Sequence, residues 1–168
     1  MTDTDVASRS LTVEWEDPAP AAARIPELSG LEYIQGLADG TFPPPPIAKL
    51  MGFTVADVEQ GRVVFECAPG EQHYNPIGTV HGGLACTLLD SAIGCAVQTT
   101  LQQGQGYTSI DISVSYLRPI VAGSGTLRCE GVVTKPGSRV AFAEARLTDG
   151  AGRLVATATS SLLVFALQ

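Results

Sequence analysis

The segment from Gly83 to Thr100 constrains the fold more than any other part of the chain. Its residues are apolar and small almost all round, and no proline interrupts them. A helix that is apolar on every side is expected to be buried on every side. Asp90 is the only charged side chain in this segment. We therefore predict a long helix at the centre of the fold, carrying one buried carboxylate.

Strand patterns surround this helix. Residues 53–68 predict two strands that turn at Gln60-Gly61, and four more strands are predicted at residues 110–117, 126–135, 138–148 and 153–166. The last three are joined by short turns, which predicts an antiparallel meander. One antiparallel sheet wrapped around one long central helix, an α+β fold, is the economical arrangement of these elements.

The N-terminal part differs from the rest of the chain. We predict an acidic extension at residues 1–46 and a main domain at residues 47–168. Residues 1–26 show no periodicity, so no regular element is expected there. Ser29 and Glu32 match a capping box, which predicts a short helix at about residues 30–39. The four prolines at 43–46 predict a stiff, extended spacer.

The charge distribution excludes several classes of function. The net charge is −7, but residues 47–168 hold nine acidic and eight basic side chains and are nearly neutral. They lack the broad basic face that nucleic acids require, so no nucleic-acid partner is expected. No apolar run is long enough to span a membrane, and no membrane partner is expected. Residues 1–10 lack a secretory signal pattern, which predicts a cytoplasmic protein.

The cysteines and histidines do not suggest a metal. The chain has four cysteines and two histidines, and no two cysteines form a Cys-x-x-Cys pair. Zinc sites usually show such spacings. We therefore expect no metal site.

The start of the central helix carries the clearest chemical signal. Gly82 and Gly83 lie where a helix exposes unpaired N–H groups and the positive end of its dipole. Glycine lets a ligand approach closely, and a carbonyl oxygen bound there would be stabilised as in an oxyanion hole. A buried Asp90 also needs a reason, either a hydrogen bond to a hydroxyl such as that of Thr87 or a catalytic role.

Helix geometry bears on the number of chains in the site. Asp90 follows Gly82 by eight residues and so lies ~12 Å further along the helix. A group that acts on a carbonyl bound at Gly82 must come within ~3–4 Å of it. Two antiparallel copies of the helix would meet this condition. We therefore predict a homodimer with two shared sites. A tetramer of two such dimers is the larger assembly that this arrangement leaves open.

These residues resemble the hotdog-fold acyl-CoA thioesterases, in the branch of the phenylacetate-pathway thioesterase and the animal thioesterase superfamily member two. The resemblance covers about residues 47–166. It rests on Asp90, nine residues after a histidine, and on three motifs: Asn75-x-x-Gly78-x-x-His81-Gly82-Gly83, Ser109-x-Asp111 and Tyr116-Leu117-Arg118-Pro119. It implies a hotdog fold and hydrolysis of a small aromatic or medium-chain acyl-CoA to free acid and CoA, with no cofactor because CoA belongs to the substrate.

The resemblance also implies a role for each residue of the site. Asp90 would act as general base or nucleophile, and the Gly82 amide would be the oxyanion donor. Asn75 would position the water or the carbonyl, from the same chain as Gly82. His81 would hold the loop and polarise the thioester, and Ser109 would orient Asp90 or the water.

One position departs from a related branch, in which Glu replaces Asp90 and a Ser or Thr one helical turn later assists catalysis. That later position is Gly94 here. The helper must therefore come from elsewhere, and Thr108 or Ser109 is the candidate.

Further residues are candidates for substrate binding. Gly83 would contact the substrate at the helix start. His73 and Tyr74 flank Asn75 and would line the acyl pocket or serve in loop packing. The basic and hydroxyl groups near the strand ends would bind CoA phosphates or remain solvated charges: Arg118, Lys135, Ser138 and Arg139.

Two rival functions remain open. One is an acyl-thioester hydratase or dehydratase, which would need a histidine and a carboxylate together for proton transfer at carbon. The other is a non-catalytic acyl-CoA-binding protein. A regulator of that kind would normally carry a DNA-binding element, and the acidic residues 1–46 are a poor candidate for one.

Overall fold

The computed structural model describes residues 7–167, so the first six residues of the predicted extension and Gln168 lie outside it. The four helices are α1 Ala19–Ala22, α2 Gly30–Ala38, α3 Pro46–Met51 and α4 Gly82–Gln98. The strands are β1 Phe53–Glu59, β2 Arg62–Cys67, β3 Gln105–Ser109, β4 Ser113–Tyr116, β5 Leu127–Lys135, β6 Val140–Thr148 and β7 Leu154–Ala166. Short 3-10 turns lie at Ile25–Glu27 and Glu71–His73.

The strands form one seven-stranded sheet in the order β1-β2-β5-β6-β7-β3, in which every pair is antiparallel, and β4 also pairs with β7. This confirms the predicted β5-β6-β7 meander and the sheet packed around one central helix. The prediction of four strands after the helix was wrong, because residues 110–112 interrupt the pairing along β7. There the Asp111 carboxylate accepts the Ser161 N–H at 3.2 Å, and Ser160 Oγ donates to the Asp111 carbonyl.

Helix α4 packs closely on the concave face of the sheet. Its inward side chains are almost fully buried, among them Leu84, Leu88 and Ile93. Gly131 on β5 allows this approach, because a Cβ there would overlap the Ala92 carbonyl group of the helix. The backbone of the strand therefore lies directly against the backbone of the helix.

The expectation that the helix is buried on every side is wrong for the single chain. Asp90 is exposed, and Gly83, Cys86 and Thr87 are only partly buried. These four residues follow the i, i+3, i+4, i+7 spacing of one helical stripe. The sheet covers the opposite side of α4, so this open stripe, residues 83, 86, 87 and 90, is only partly covered by its own chain.

The N-terminal elements confirm one prediction and correct two. The capping box forms, with Ser29 Oγ accepting the Glu32 N–H and the Glu32 carboxylate accepting the Ser29 N–H at 2.9 Å. The prolines are not a simple spacer, because Pro46 begins α3. Proline suits that first helical position, which needs no N–H partner. The short helix α1 also forms within the stretch expected to lack regular structure.

Helix α2 is attached to the main domain by its own backbone. Gly30 N–H donates to the Leu101 carbonyl at 3.0 Å, and a Cβ on Gly30 would overlap the Gln98 carbonyl. No helix within residues 7–167 is both long enough and apolar enough to cross a membrane.

Candidate active site

A pocket of about 480 Å³ opens beside Asp90. One wall comes from residues 37–48 together with β1 and β2, and the other comes from α4 and β3. Most of the lining is apolar, and the polar groups lie chiefly at the α4–β3 side. The lining includes Leu37, Ala38, Pro44, Pro45, Ile47, Phe53, Phe65, Asp90, Ser91, Cys95, Tyr107 and Ser109.

Asp90 is held by one hydroxyl from the neighbouring strand. Ser109 Oγ donates to Asp90 Oδ1 at 3.1 Å. Thr108 does not line the pocket, because alternate residues of a strand point to opposite faces. Of the two candidates for assisting Asp90, the structure therefore brings Ser109 to the carboxylate. Thr87 Oγ1 instead donates to the Gly83 carbonyl at 2.9 Å, so the hydrogen bond considered between Thr87 and Asp90 does not form.

The start of α4 is arranged around a single free amide. His81 caps the helix, since its Nδ1 accepts the Gly83 N–H at 2.8 Å and its carbonyl accepts the Leu84 N–H. The Gly82 N–H has no acceptor among residues 7–167. Tyr116 Oη donates to the Gly82 carbonyl at 3.1 Å, and its ring packs against Gly82. Gly82 is therefore the residue of the His81-Gly82-Gly83 motif whose N–H is available to a ligand.

The loop that carries Asn75 is held by that side chain. Asn75 Oδ1 accepts the N–H groups of Ile77 and Thr79, each at 3.1 Å, and Nδ2 donates to Thr79 Oγ1 at 2.8 Å. Gly78 completes the turn with a φ of +78°, which favours glycine. The His81 N–H donates to the His73 carbonyl at 2.7 Å, so the loop is tied to the helix start.

Gly82 and Asp90 line different depressions of the single chain. Gly82 lies in a groove of about 300 Å³ together with Tyr116 and Arg118, and Asp90 lies in the larger pocket. Arg118 is fixed there by a hydrogen bond from Nη1 to the Leu154 carbonyl at 2.7 Å. One chain alone therefore does not bring the free amide and the carboxylate into one cavity.

His73 and Tyr74 lie away from the pocket beside Asp90. His73 is buried, and its Nδ1 accepts the Gly70 N–H at 3.0 Å. Burial lowers the pKa of His73, and the Met51 carbonyl acts in the opposite direction. The geometry thus gives His73 a role in loop packing within the single chain.

The predicted phosphate-binding side chains Lys135, Ser138 and Arg139 are all exposed around the β5–β6 turn. The register connects this turn to the site, because Val140 pairs with Leu163 and Leu163 pairs with Thr108. Two strand spacings separate Val140 from Thr108, or roughly 10 Å. The turn therefore lies at the same end of the sheet as Ser109.

Sequence reasoning missed two parts of the pocket. The first is the wall from residues 37–48, for which the sequence predicts only the end of a helix and a spacer. The second is Tyr107, which shares its strand face with Ser109. The period of two residues along β3 was the available signal for Tyr107. Within residues 7–167, no group of three or more histidine, cysteine or acidic side chains is arranged to hold a metal.

Known proteins share this architecture and sequence. Residues 77–156 match the family model described as the thioesterase superfamily. Human acyl-coenzyme A thioesterase 13 is 35% identical over 104 residues, which cover 61% of this chain and 73% of that protein. A phenylacetic acid degradation-related protein from Ralstonia eutropha has a TM-score of 0.71 at 28% identity, covering 78% of this chain and 98% of its own.

A Streptococcus mutans protein solved with acetyl CoA bound has a TM-score of 0.64 at 25% identity, covering 70% of this chain and 91% of its own. The curved antiparallel sheet around α4 is thus the hotdog fold that the motif resemblance implied. With more than two thirds of the human relative covered at this identity, the chain belongs to the thioesterase superfamily.

Proposed function

We propose that this chain hydrolyses acyl-CoA thioesters to a free acid and CoA, and that the pocket beside Asp90 holds a small aromatic or medium-chain acyl group. The observation that carries the proposal is a carboxylate, fixed by Ser109, at the edge of a largely apolar pocket. The human relative is named an acyl-CoA thioesterase, and the Streptococcus mutans neighbour binds acetyl CoA, which supports the same substrate class.

Asp90 is the group that starts the reaction in this proposal. Ser109 donates a hydrogen bond to Oδ1 of Asp90, while Oδ2 of Asp90 has no hydrogen-bond partner among residues 7–167. As general base, Asp90 takes a proton from water as the water oxygen bonds to the thioester carbon. The carbon–sulfur bond then breaks, and the proton passes to the CoA sulfur. As nucleophile, the carboxylate attacks the thioester carbon, the carbon–sulfur bond breaks and CoA leaves as the thiolate. Water then hydrolyses the resulting anhydride to the free acid and the Asp90 carboxylate, and the proton released passes to the CoA sulfur.

The Gly82 N–H is the proposed oxyanion donor. It is free, and it lies at the positive end of the α4 dipole, where negative charge on the carbonyl oxygen is stabilised. Because Gly82 and Asp90 are ~12 Å apart along one helix, each site would pair Asp90 with Gly82 of the partner subunit. The open stripe of α4 supports this homodimer, because a partner subunit would cover it. Two such dimers would form a tetramer.

The loop residues would act with Gly82. Asn75 holds the loop through Thr79 and is proposed to offer its remaining amide hydrogen to the water or the carbonyl. His81 uses Nδ1 as a helix cap, so Nε2 is the nitrogen that would polarise the thioester. Gly83 has its N–H engaged by His81, and its proposed contribution is the close approach that a missing side chain allows.

The CoA end would extend towards basic side chains. Lys135 and Arg139, with Ser138 between them, lie at the sheet end that carries Ser109, and are proposed to meet the phosphates. Arg118, in the groove with Gly82, is the alternative contact. The four cysteines are free, which supports a reducing, cytoplasmic location.

A thiol-release assay tests the proposal. Wild-type protein is incubated with acetyl-, hexanoyl- and phenylacetyl-CoA, and free CoA thiol is measured with a chromogenic disulfide. We expect release with at least one substrate, and a loss of ~100-fold or more in kcat for Asp90→Asn. A hydratase would change an enoyl-CoA without releasing thiol, and a non-catalytic protein would bind without turnover. Near wild-type hydrolysis by Asp90→Asn would contradict the assigned role.

Subunit mixing tests the shared site. Asp90→Asn and Asn75→Ala chains, each inactive alone, are combined, and subunit exchange is checked by native mass spectrometry. Random pairing gives roughly half heterodimers with one intact site each, so about a quarter of wild-type activity should return. If exchange is complete and no activity returns, each site is built from one chain.

A further inference from the structure

Tyr107 is a pocket residue to which the reaction above assigns no role. It lies on β3 two residues before Ser109, so both side chains point to the same face of the strand. Both line the pocket beside Asp90. Tyr107 therefore extends the polar side of the pocket from the reacting end towards its interior.

The hydroxyl of Tyr107 lies against α4 where the helix has no side chain. A Cβ built on Gly94 would overlap this hydroxyl and stand 2.9 Å from Tyr107 Cζ. Gly94 and Asp90 are four residues apart and share one side of the helix. The hydroxyl is therefore placed about 6 Å along α4 from the level of Asp90, where a longer residue at position 94 would otherwise project.

This hydroxyl is unpartnered but not sealed off. Within residues 7–167, the structure shows no hydrogen bond between this hydroxyl and a side chain or backbone group. Tyr107 lines the pocket and its side chain is only partly buried, so it has access to the pocket space. Desolvation, with smaller contributions from Cys95 and Asp90, raises the pKa of Tyr107 well above its ordinary value. The group stays protonated and can donate a hydrogen bond.

The pocket walls around the hydroxyl are mostly apolar and offer it few hydrogen-bond acceptors. Leu37, Phe53 and Phe65 are among the apolar side chains that line the same pocket. A plain hydrocarbon acyl chain that fills this space would displace water from the hydroxyl and leave it unbonded. A buried donor that loses its partner disfavours binding of that ligand, whereas an acceptor at the right place restores the bond.

We infer that Tyr107 is a specificity-determining residue, which selects acyl groups with a hydrogen-bond-accepting oxygen roughly 6 Å from the thioester carbon over hydrocarbon acyl groups of equal length. The inference rests on the proposed function, because it takes the thioester carbon to lie at Asp90. It adds the chemical class of the acyl group, which the apolar lining alone does not indicate.

The test compares hexanoyl-CoA with 5-oxohexanoyl-CoA, which places a ketone oxygen near that distance. For the wild-type protein, kcat/KM for the oxo substrate should exceed that for hexanoyl-CoA by about 10-fold. Tyr107→Phe keeps the ring and removes only the hydroxyl. It should cancel the preference from both sides, by lowering kcat/KM for the oxo substrate and by raising kcat/KM for hexanoyl-CoA, because no unbonded donor then faces the hydrocarbon chain.

Tyr33→Phe is the matched control: Tyr33 packs against Phe42 and does not line the pocket, although it is near enough to contribute to the raised pKa of Tyr107, so this variant removes a neighbouring hydroxyl without changing the pocket wall. This variant should keep the wild-type preference. Equal rates for the two substrates in the wild type, or an equal effect of Tyr107→Phe on both, would overturn the inference. Thermal unfolding of each variant confirms that the fold is retained.

Failure of the proposed function has a different signature. If the wild type releases no thiol from any acyl-CoA, the hydrolysis proposal fails, and the same comparison is made by calorimetric binding of the two CoA esters. Tighter binding of 5-oxohexanoyl-CoA that disappears in Tyr107→Phe would still support the inference about Tyr107. Equal binding of both esters would refute it.

Discussion

At Gly131 the backbone of the sheet lies directly against the backbone of α4, and Gly131→Ala tests whether this approach sets the geometry of the site. The added Cβ would overlap the Ala92 carbonyl group and stand 2.9 Å from Ile93 N. Ordinary contact between such atoms is about 3.5 Å, so the Ile93 contact alone demands a shift of about 0.6 Å. The neighbouring atoms are helix backbone, which cannot rotate away as a side chain can.

The expected change in the free energy of unfolding is the difference between two opposing effects. Overpacking a core position costs about 1–3 kcal/mol. Replacing glycine restricts the unfolded chain and returns about 0.4–1 kcal/mol. We expect a net loss of about 1–2 kcal/mol in the free energy of unfolding, or a fall in Tm of roughly 2–8 °C for a chain of this size.

Activity should fall more than stability implies. Ala92 lies two residues after Asp90, so movement of this part of α4 shifts the carboxylate relative to Ser109, which is now at 3.1 Å. A displacement of about 1 Å can reduce the rate by about 100-fold without removing any reacting group. The loss should appear in kcat for hexanoyl-CoA hydrolysis.

Gly106→Ala is the matched control for this experiment. Gly106 is also a strand glycine, but the atoms nearest to its Cβ would belong to side chains and not to backbone, namely Leu167 Cδ2 at 2.8 Å and Phe165 Cε2 at 3.3 Å. These can move, so stability and kcat should change little. Urea unfolding and thiol release are measured for both variants. If Gly131→Ala matches the wild type in both assays, or Gly106→Ala is equally harmful, backbone contact at Gly131 does not set the site.

Three further predictions concern single side chains. Ser109→Ala removes the hydroxyl that holds Asp90 and should lower kcat by about 10-fold or more. The control Thr108→Ala should keep kcat within about twofold of wild type, and both are measured by steady-state kinetics at saturating substrate. Burial lowers the pKa of His73 in the folded chain, whereas the ordinary value of 6.5 applies in the unfolded chain. Once the pH falls below 6.5, the unfolded chain binds a proton more readily than the folded chain, so the free energy of unfolding should decline there. His73→Gln should flatten that decline in urea midpoints taken from about pH 7 to about pH 5, and an unchanged slope would assign it to other groups. Ser29→Ala removes the N-cap of α2 and should cost about 1 kcal/mol in urea unfolding, and no loss would mean that the packing of Gly30 alone holds this helix.

Local patterns in the sequence were sufficient for the elements themselves. The apolar run before and after Asp90 predicts α4, and the two-residue alternation predicts the meander of β5, β6 and β7. Ser29 and Glu32 predict the start of α2. Each of these features depends on neighbours within a few residues, so the interactions that decide it are written consecutively in the chain.

Contacts between distant residues decided where those patterns end. The break between β3 and β4 depends on Asp111 meeting Ser160 and Ser161 of β7, about 50 residues away in the chain. The same pairing places Ser109, and not Thr108, beside Asp90. Strand alternation says that the two residues face opposite sides, but only the register against β7 says which side faces the helix.

The sequence by itself determined that one carboxylate and one glycine-rich helix start lie on the central helix, ~12 Å apart. Only the tertiary structure decided what surrounds them. The sheet covers one side of α4 and leaves the stripe with Asp90 open, because a curved sheet can face only one side of a helix. The pocket joins residues 37–48, β1, β2, α4 and β3, and such a cavity exists only after these separate segments pack together.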